Sequence, residues 1–472
     1  MSKADKLFDG ITNVREDLLE EAELHVFKTG QRRYRFTVVA VACLLAVAIL
    51  FSTWPGKEGN PLSTPVYAAA IAEYPEMIPY PGVNAEWDAV KEWMESVDAQ
   101  RRELNAASLQ PYLEASVPQF LTDDGRDNSL YSPLNVYMAL AMLAELTDGD
   151  SRQQILDLLG AADIEALRQQ ASDLWNANYR DDGIMQRVLA NSVWLSEEYA
   201  FHQAALDRLA ETYYASAYRG EMGSEGLSQA LRDWLNEQTG GLLKDQIDSL
   251  ELTPETVLAL ASTVYFKAKW NGEFNPNLTE DGIFHSNSGD VNCRMMKRSD
   301  VMSYYWADKF AAVHMEFEDG AMWFFLPDEG YSPGDLLESG EPLTLLQDPY
   351  EGWENQKRLV VNMTVPQFDV SSQTKLRDGL KALGVTDVFD PSKADFSPVT
   401  DAAGLFVSQA THGVRVKIDE QGCEGAAYTM LVMAGAAMPP DEEVDFTVDR
   451  PFLFCVTGAN NLPMFLGVVN QP

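Results

Sequence analysis

From about Asn105 onward the apolar residues follow two different periods. Leu109–Val117, Pro133–Leu146 and Arg152–Leu159 repeat them at three- and four-residue spacing, which predicts helices. SRQQILDLLG, Ser151–Gly160, adds a serine at the start and a glycine just past the end, the residue types that cap helices. Arg187–Leu195, Val257–Phe266, Ala321–Pro327 and Arg358–Phe368 are dense in Val, Leu, Phe and Trp and read as strands. Leu227–Thr239 and Lys375–Leu383 are helical in pattern and lie between them. Strands and helices interleave without an internal repeat, so residues 105–472 are expected to form one α+β domain.

The N-terminus follows another pattern. Residues 36–54, FTVVAVACLLAVAILFSTW, contain no charge and are long enough to span a bilayer. Lys28, Arg32, Arg33 and Arg35 precede the run and the next basic residue is Lys57, which places residues 1–35 in the cytoplasm and the rest outside. The alternative is a signal peptide, cleaved downstream, with secretion of the remainder. Residues 55–86 hold Pro55, Pro61, Pro65, Pro75, Pro79 and Pro81, an extended stalk by composition. Trp87, Val90, Trp93, Met94 and Val97 then recur at helical spacing, so 55–104 reads as a stalk ending in a short amphipathic helix that packs on the domain or leads into it.

Composition removes several function classes. The chain of 472 residues carries a net charge of −37, so phosphate polymers and heparin-like polyanions are poor partners. Cys43, Cys293, Cys423 and Cys455 show no paired spacing, which argues against both a disulfide framework and a zinc site. There is no GxSxG, no HExxH and no phosphate-binding glycine loop. His25, His202, His285, His314 and His412 have no neighbouring nucleophile motif. An enzyme, a metal and a cofactor are therefore not expected. Asn277 and Asn362 open N-x-T sequons.

One segment fits neither a turn nor a charged linker. EQGCEGAAYTMLVMAGAAMPPDEEVDF, Glu420–Phe446, separates the alternating run Val414–Ile418 from the apolar run Pro451–Val456. A two-residue turn can join strands, and long loops in compact domains are usually functional or disordered. This one is rich in Ala, Gly and Met.

The ordered motifs resemble the serpin family from about residue 105 to the end. NSLYSPLNVYMALAMLAELTDGDSRQQILDLLG (Asn128–Gly160), STVYFKAKWNGEF (Ser262–Phe274), MWFFLPDEG (Met322–Gly330), VPQFDV with its continuation to Thr400, VSQATHGVRVKIDEQG (Val407–Gly422), DRPFLFCVTG and FLGVVNQP are similar to that family's segments and come in its order. The resemblance implies a large central β-sheet with helices and an exposed reactive-centre loop. It implies a suicide inhibitor of serine proteinases, acting as a monomer, and Glu420–Phe446 falls where the loop belongs. The proteinase supplies the catalytic serine, cuts the loop, and the loop enters the sheet as a strand. The alternative is a serpin-fold binding module that undergoes no such insertion.

With Gly422 as hinge glycine, strand alternation gives one set of Cys423, Gly425, Ala427 and Thr429. All are small enough to enter between existing strands. The other set, Glu424, Ala426, Tyr428 and Met430, is assigned to the opposite face. The family usually has Thr or Ser where Cys423 stands, and Ala where Gly425 and Tyr428 stand. No proline occurs from Gly422 to Met438, so no ladder bond is forfeited. Family spacing puts the scissile bond at Ala436–Ala437, whose small neighbours suit an elastase-like or subtilisin-like pocket; Met433 or Met438 would suit a chymotrypsin-like one. Ser132, Asn135, Ser262 and His412 fall at the family's hydrogen-bonded shutter, with the amide and hydroxyl of Asn135 and Ser262 exchanged. Ordinary buried polar residues satisfied by backbone are the alternative there. Trp270 falls at the breach, where the loop enters the sheet.

Overall fold

The strand-like runs form strands, and most extend beyond their apolar centres because the ladder continues past the last buried residue. The computed structural model describes residues 66–472 apart from 83–84, 101–103, 105, 249, 350–351, 424–439 and 441. Among the described residues no helix is long and apolar enough to cross a membrane; residues 36–54 lie outside them.

Two sheets carry the fold. Strands β1 (Tyr67–Ala70), β2 (Ser129–Tyr131), β3 (Arg180–Asp181), β4 (Gln186–Ser196), β5 (Ala215–Gly220) and β6 (Leu258–Lys269) come from the first half. Strands β7 (Glu280–Ser286), β8 (Gly289–Trp306), β9 (Phe310–Glu316), β10 (Ala321–Pro327), β11 (Gln356–Pro366) and β12 (Phe368–Lys375) follow. The last are β13 (Thr411–Ile418), β14 (Gly422–Cys423), β15 (Glu443–Thr447), β16 (Phe452–Thr457) and β17 (Pro463–Val469). One sheet runs β1-β5-β4-β6-β14-β13-β12, with β3 paired to β4. The other runs β15-β11-β8-β9-β10-β16-β17-β2, with β7 paired to β8.

Among the helices are α1 (Trp87–Gln100), α2 (Gln110–Phe120), α3 (Pro133–Leu146), α4 (Gly149–Leu159), α5 (Ile164–Asn178), α6 (Gln203–Tyr213) and α7 (Glu225–Gln238). Helix α3 is buried along almost its whole length. Its sequence, PLNVYMALAMLAEL, is apolar on all faces except at Asn135 and Glu145, as suits a helix without a solvent face. It packs against β6 of one sheet and β17 of the other. Proline at its first turn supplies a preset φ where no amide donor is needed.

Four sequence expectations need correction. Ser151 is not a cap: α4 begins at Gly149 behind Asp148, and the buried Ser151 hydroxyl accepts the Asp395 N–H (3.2 Å). The glycine end is as expected, with Gly160 left-handed at φ 69°. The run Arg358–Phe368 is two strands, because Gln367 turns its N–H to the Arg294 carbonyl (2.8 Å) between β11 and β12. The helix expected at Lys375 starts at Arg377, since Gln373–Lys375 continue the pairing of β12 with β13.

The fourth concerns the stalk. Residues 67–70 form β1, antiparallel to β5 at the edge of the central sheet. Helix α1 buries Trp93 and Val97 and leaves Trp87 and Met94 exposed. Prolines at 75, 79 and 81 exclude helix but leave an extended chain free to lie on a surface.

Candidate functional site: the entry of the loop into the central sheet

Strand β13 does not run freely into the loop. It ends in a tight turn at Asp419–Gly422 and folds back as β14. Asp419 Oδ1 accepts the N–H groups of Gln421 (2.9 Å) and Gly422 (3.2 Å), the aspartate-initiated turn that short polar side chains favour. The Asp419 N–H donates to the Gly422 carbonyl (3.0 Å). Gly422 lies so close to β6 that a Cβ would meet the Ala268 carbonyl oxygen at 2.2 Å. Only glycine permits this approach.

The three carbonyls of that turn are held from one short segment. Trp270 Nε1 donates to Asp419 (2.9 Å). The backbone N–H of Phe274 donates to Glu420 (2.9 Å) and that of Trp270 to Gln421 (3.2 Å). The indole is buried and stacked on Phe317, with ring centroids 4.9 Å apart. Trp270 thus stands beside the turn that precedes β14.

Glu420 was not singled out from the sequence. Its carboxylate accepts Thr279 Oγ1 (2.7 Å) and Gln367 Nε2 (2.7 Å). Burial opposes ionisation, yet these bonds, its own backbone and nearby Arg294 leave the carboxyl below the usual range. The only sequence signal was the turn signature Asp419–Gly422; the partners lie 141 and 53 residues away.

Cys423 completes β14. It pairs with Ala268 of β6 on one side and Ile418 of β13 on the other, and its side chain is buried in the main core. Gly422 pairs with Lys269. Gly422 and Cys423, the first two residues assigned to the hinge from the sequence, therefore lie between β6 and β13. Glu424, Gly425, Ala426, Ala427, Tyr428, Thr429, Ala436 and Ala437 lie outside the described residues.

Further along the same two strands, the four polar residues named from the sequence come together. The Ser132 N–H donates to His412 Nε2 (3.0 Å). Asn135 Nδ2 donates to the Ser262 carbonyl (2.9 Å), and Ser262 Oγ to the Asn135 carbonyl (3.5 Å). Helix α3, which begins at Pro133, is thereby tied to β6 and β13 at once. His412 accepts at Nε2, so its proton sits on Nδ1. Tyr131 stacks edge-on against the ring at 5.6 Å. The Ser132 hydroxyl is buried without a partner among the described residues.

Burial pushes His412 down from 6.5 to about 4. The unfolded chain then takes up its proton before the folded one does. Stability is full above about pH 6.5 and falls as pH drops toward 4, by about 3 kcal/mol if His412 acts alone. Urea unfolding between pH 4 and 8 should show this slope. His412→Gln should flatten it; an unchanged slope would mean that other groups carry it.

With fold and site in view, the comparisons give the class. The family model "Serpin (serine protease inhibitor)" matches residues 116–472, and the chain belongs to the serpin family. Serpin A3-5 of Bos taurus is 29% identical over 393 residues, 80% of this chain and 92% of that protein. Human leukocyte elastase inhibitor is 28% identical over 357 residues, 73% of this chain and 93% of that protein. A native thermophilic serpin, tengpin, superposes with a TM-score of 0.68 at 23% identity, covering 86% of this chain and all of the other. Serpins act on target serine proteinases as inhibitors, not as enzymes.

Proposed function

We propose that the domain is a suicide inhibitor of elastase-like or subtilisin-like serine proteinases, held outside a membrane by residues 36–54 or secreted after their removal. The observation that carries the inhibitory reading is β14. Two loop residues already continue the sheet between β6 and β13, antiparallel to both, in the direction a further strand would take. The next residues of the inserting set, Gly425, Ala427 and Thr429, are small. The turn held by Trp270, Phe274 and Glu420 sets where entry begins.

The target class rests on Met433–Met438, MAGAAM, which offers small residues to a shallow pocket. Two similar proteins, from Sus scrofa and Homo sapiens, are named leukocyte elastase inhibitor, which supports the elastase-like reading. The anchor rests on the charge asymmetry around the apolar run.

The test is a denaturing gel of the full chain mixed with a panel of serine proteinases. A covalent band with an elastase-like or subtilisin-like enzyme supports the reading. Clean cleavage without that band favours a non-inhibitory binding module. Ala436→Arg should move trapping toward trypsin-like enzymes, whose acidic pocket pairs with a guanidinium. Sequencing the released C-terminal fragment of the wild type checks the bond; a new N-terminus far from Ala437 would refute it.

A further inference from the structure

Arg187, near the start of β4, is only 1% exposed and takes no part in the loop contacts described above. Its Nε donates to the Asn178 carbonyl (2.6 Å) and its Nη1 to the Asp319 carbonyl (3.1 Å). Nη2 donates to Asp319 Oδ2 (2.7 Å) and to the Ala177 carbonyl (3.4 Å). One side chain thereby joins β4 of the central sheet, the end of α5, and the turn between β9 and β10 of the other sheet. A buried ion pair adds little stability over apolar side chains of the same shape. What a planar guanidinium fork does fix is the position of the groups it bonds.

The turn that it holds is tight. The Phe317 N–H donates to the Gly320 carbonyl (2.9 Å), so residues 317–320 close it. A Cβ on Gly320 would meet the Thr457 carbonyl oxygen at 2.1 Å, which seats the turn directly against β16. On its other side the turn carries the buried ring of Phe317, on which Trp270 stacks; Phe266 meets the same ring edge-on at 5.2 Å. Asn271 is bonded twice to this hairpin. Its N–H donates to the Glu316 carbonyl (2.7 Å) and its Nδ2 to the Phe317 carbonyl (2.8 Å). Trp270 and Asn271 therefore take their position from the 317–320 turn, and Trp270 in turn holds the Asp419 and Gln421 carbonyls. Direct contacts run all the way from Arg187 through Asp319, Phe317 and Trp270 to Asp419.

We propose that Arg187 is a positioning residue for entry of the loop: it fixes the 317–320 turn beside Trp270, and through Trp270 the Asp419–Gly422 turn from which insertion starts. The inference rests on the insertion reading above. Trapping requires insertion to outrun hydrolysis of the bond between loop and proteinase. A strand that grows from the two residues already ordered in β14 has less chain entropy left to lose than one that starts from a loose turn. Without the guanidinium fork the 317–320 turn relaxes, the stack on Trp270 loosens, and insertion starts later. More of the inhibitor is then released as cleaved substrate.

The test measures, for full-length protein mixed with pancreatic elastase and with subtilisin, the stoichiometry of inhibition and the rate of loop cutting. Arg187→Lys keeps the charge and loses the fork. It should raise the stoichiometry about threefold, the scale of one lost hydrogen bond, with the cutting rate unchanged. Asp319→Asn should show a smaller rise, and it decides if Arg187→Lys does not fold. Leu345→Ala, a buried position in the helix Glu341–Gln347 that none of these contacts involves, is the control for general destabilisation and should leave the stoichiometry near wild type. Trp270→Phe removes the indole donor to Asp419 and should itself raise the stoichiometry. Adding Arg187→Lys to it should then contribute less than Arg187→Lys does alone, because both act on the same turn. Variants no different from Leu345→Ala at equal loss of unfolding midpoint, or strictly additive effects of Arg187→Lys and Trp270→Phe, would overturn the assignment. If wild type forms no covalent complex with either enzyme, the insertion reading fails and the role of Arg187 falls with it; if wild type traps and only these variants are silent, the role of Arg187 alone falls.

Discussion

Thermal unfolding of the domain shifts upward by roughly 10 °C or more once the loop is cut, although a peptide bond has been lost. Before cleavage Gly422–Ala436 is tethered at both ends, by the Asp419–Gly422 turn and by β15. Afterwards its C-terminal end is free and the segment can extend β14 along the whole slot between β6 and β13. Each added ladder bond contributes about 0.5–1.5 kcal/mol net, and ordering each residue costs about 1–2 kcal/mol. Hydrogen bonds alone do not carry the gain. Relief of strain in the uncut sheet must contribute, which means that the uncut form is held by a kinetic barrier. Calorimetry of intact and loop-cut protein decides the matter. An unchanged or lower midpoint would remove the inhibitory reading.

On the proposed trapping mechanism, Thr429→Arg is expected to turn the domain from an inhibitor into a substrate. Cys423 pairs with Ala268 and Ile418. Continued in the same antiparallel register, that ladder brings residue 429 opposite Ser262 on β6 and His412 on β13. His412 is buried and neutral, and Asn135 and Ser132 are already engaged there. No carboxylate lies among those four residues to receive a guanidinium. Burying it unpaired costs several kcal/mol, so insertion stalls beside the shutter and the proteinase completes hydrolysis. On a denaturing gel the covalent band should fade and cleaved inhibitor accumulate, with the cutting rate little changed. Full trapping by the variant would show that the register is shifted or that residue 429 faces the other way.

Local chemistry explains what could be read without coordinates. Helix α3 was legible to its ends, because Pro133 opens it and a run that is apolar but for Asn135 and Glu145 fills it. Ala321–Pro327 was legible because the run is short, apolar and closed by proline. The unusual composition of Glu420–Phe446 marked the loop without any contact being known. Ser151 misled because a serine before an apolar run suits a cap as well as it suits the inside of a helix; only the distant Asp395 N–H distinguishes the two.

The sequence by itself determined the α+β class of the fold and the order of its elements. These depend on periodicity and residue size, which neighbours along the chain share. Tertiary structure alone decided three things. It laid the supposed stalk against β5, where the ring of Tyr74 finds Trp175. It enclosed Glu420 between Thr279 and Gln367. It joined Ser132 to His412 across 280 residues of chain. Each depends on groups that meet only when two sheets close around α3, and a hydrogen bond between groups so far apart leaves no local pattern to read.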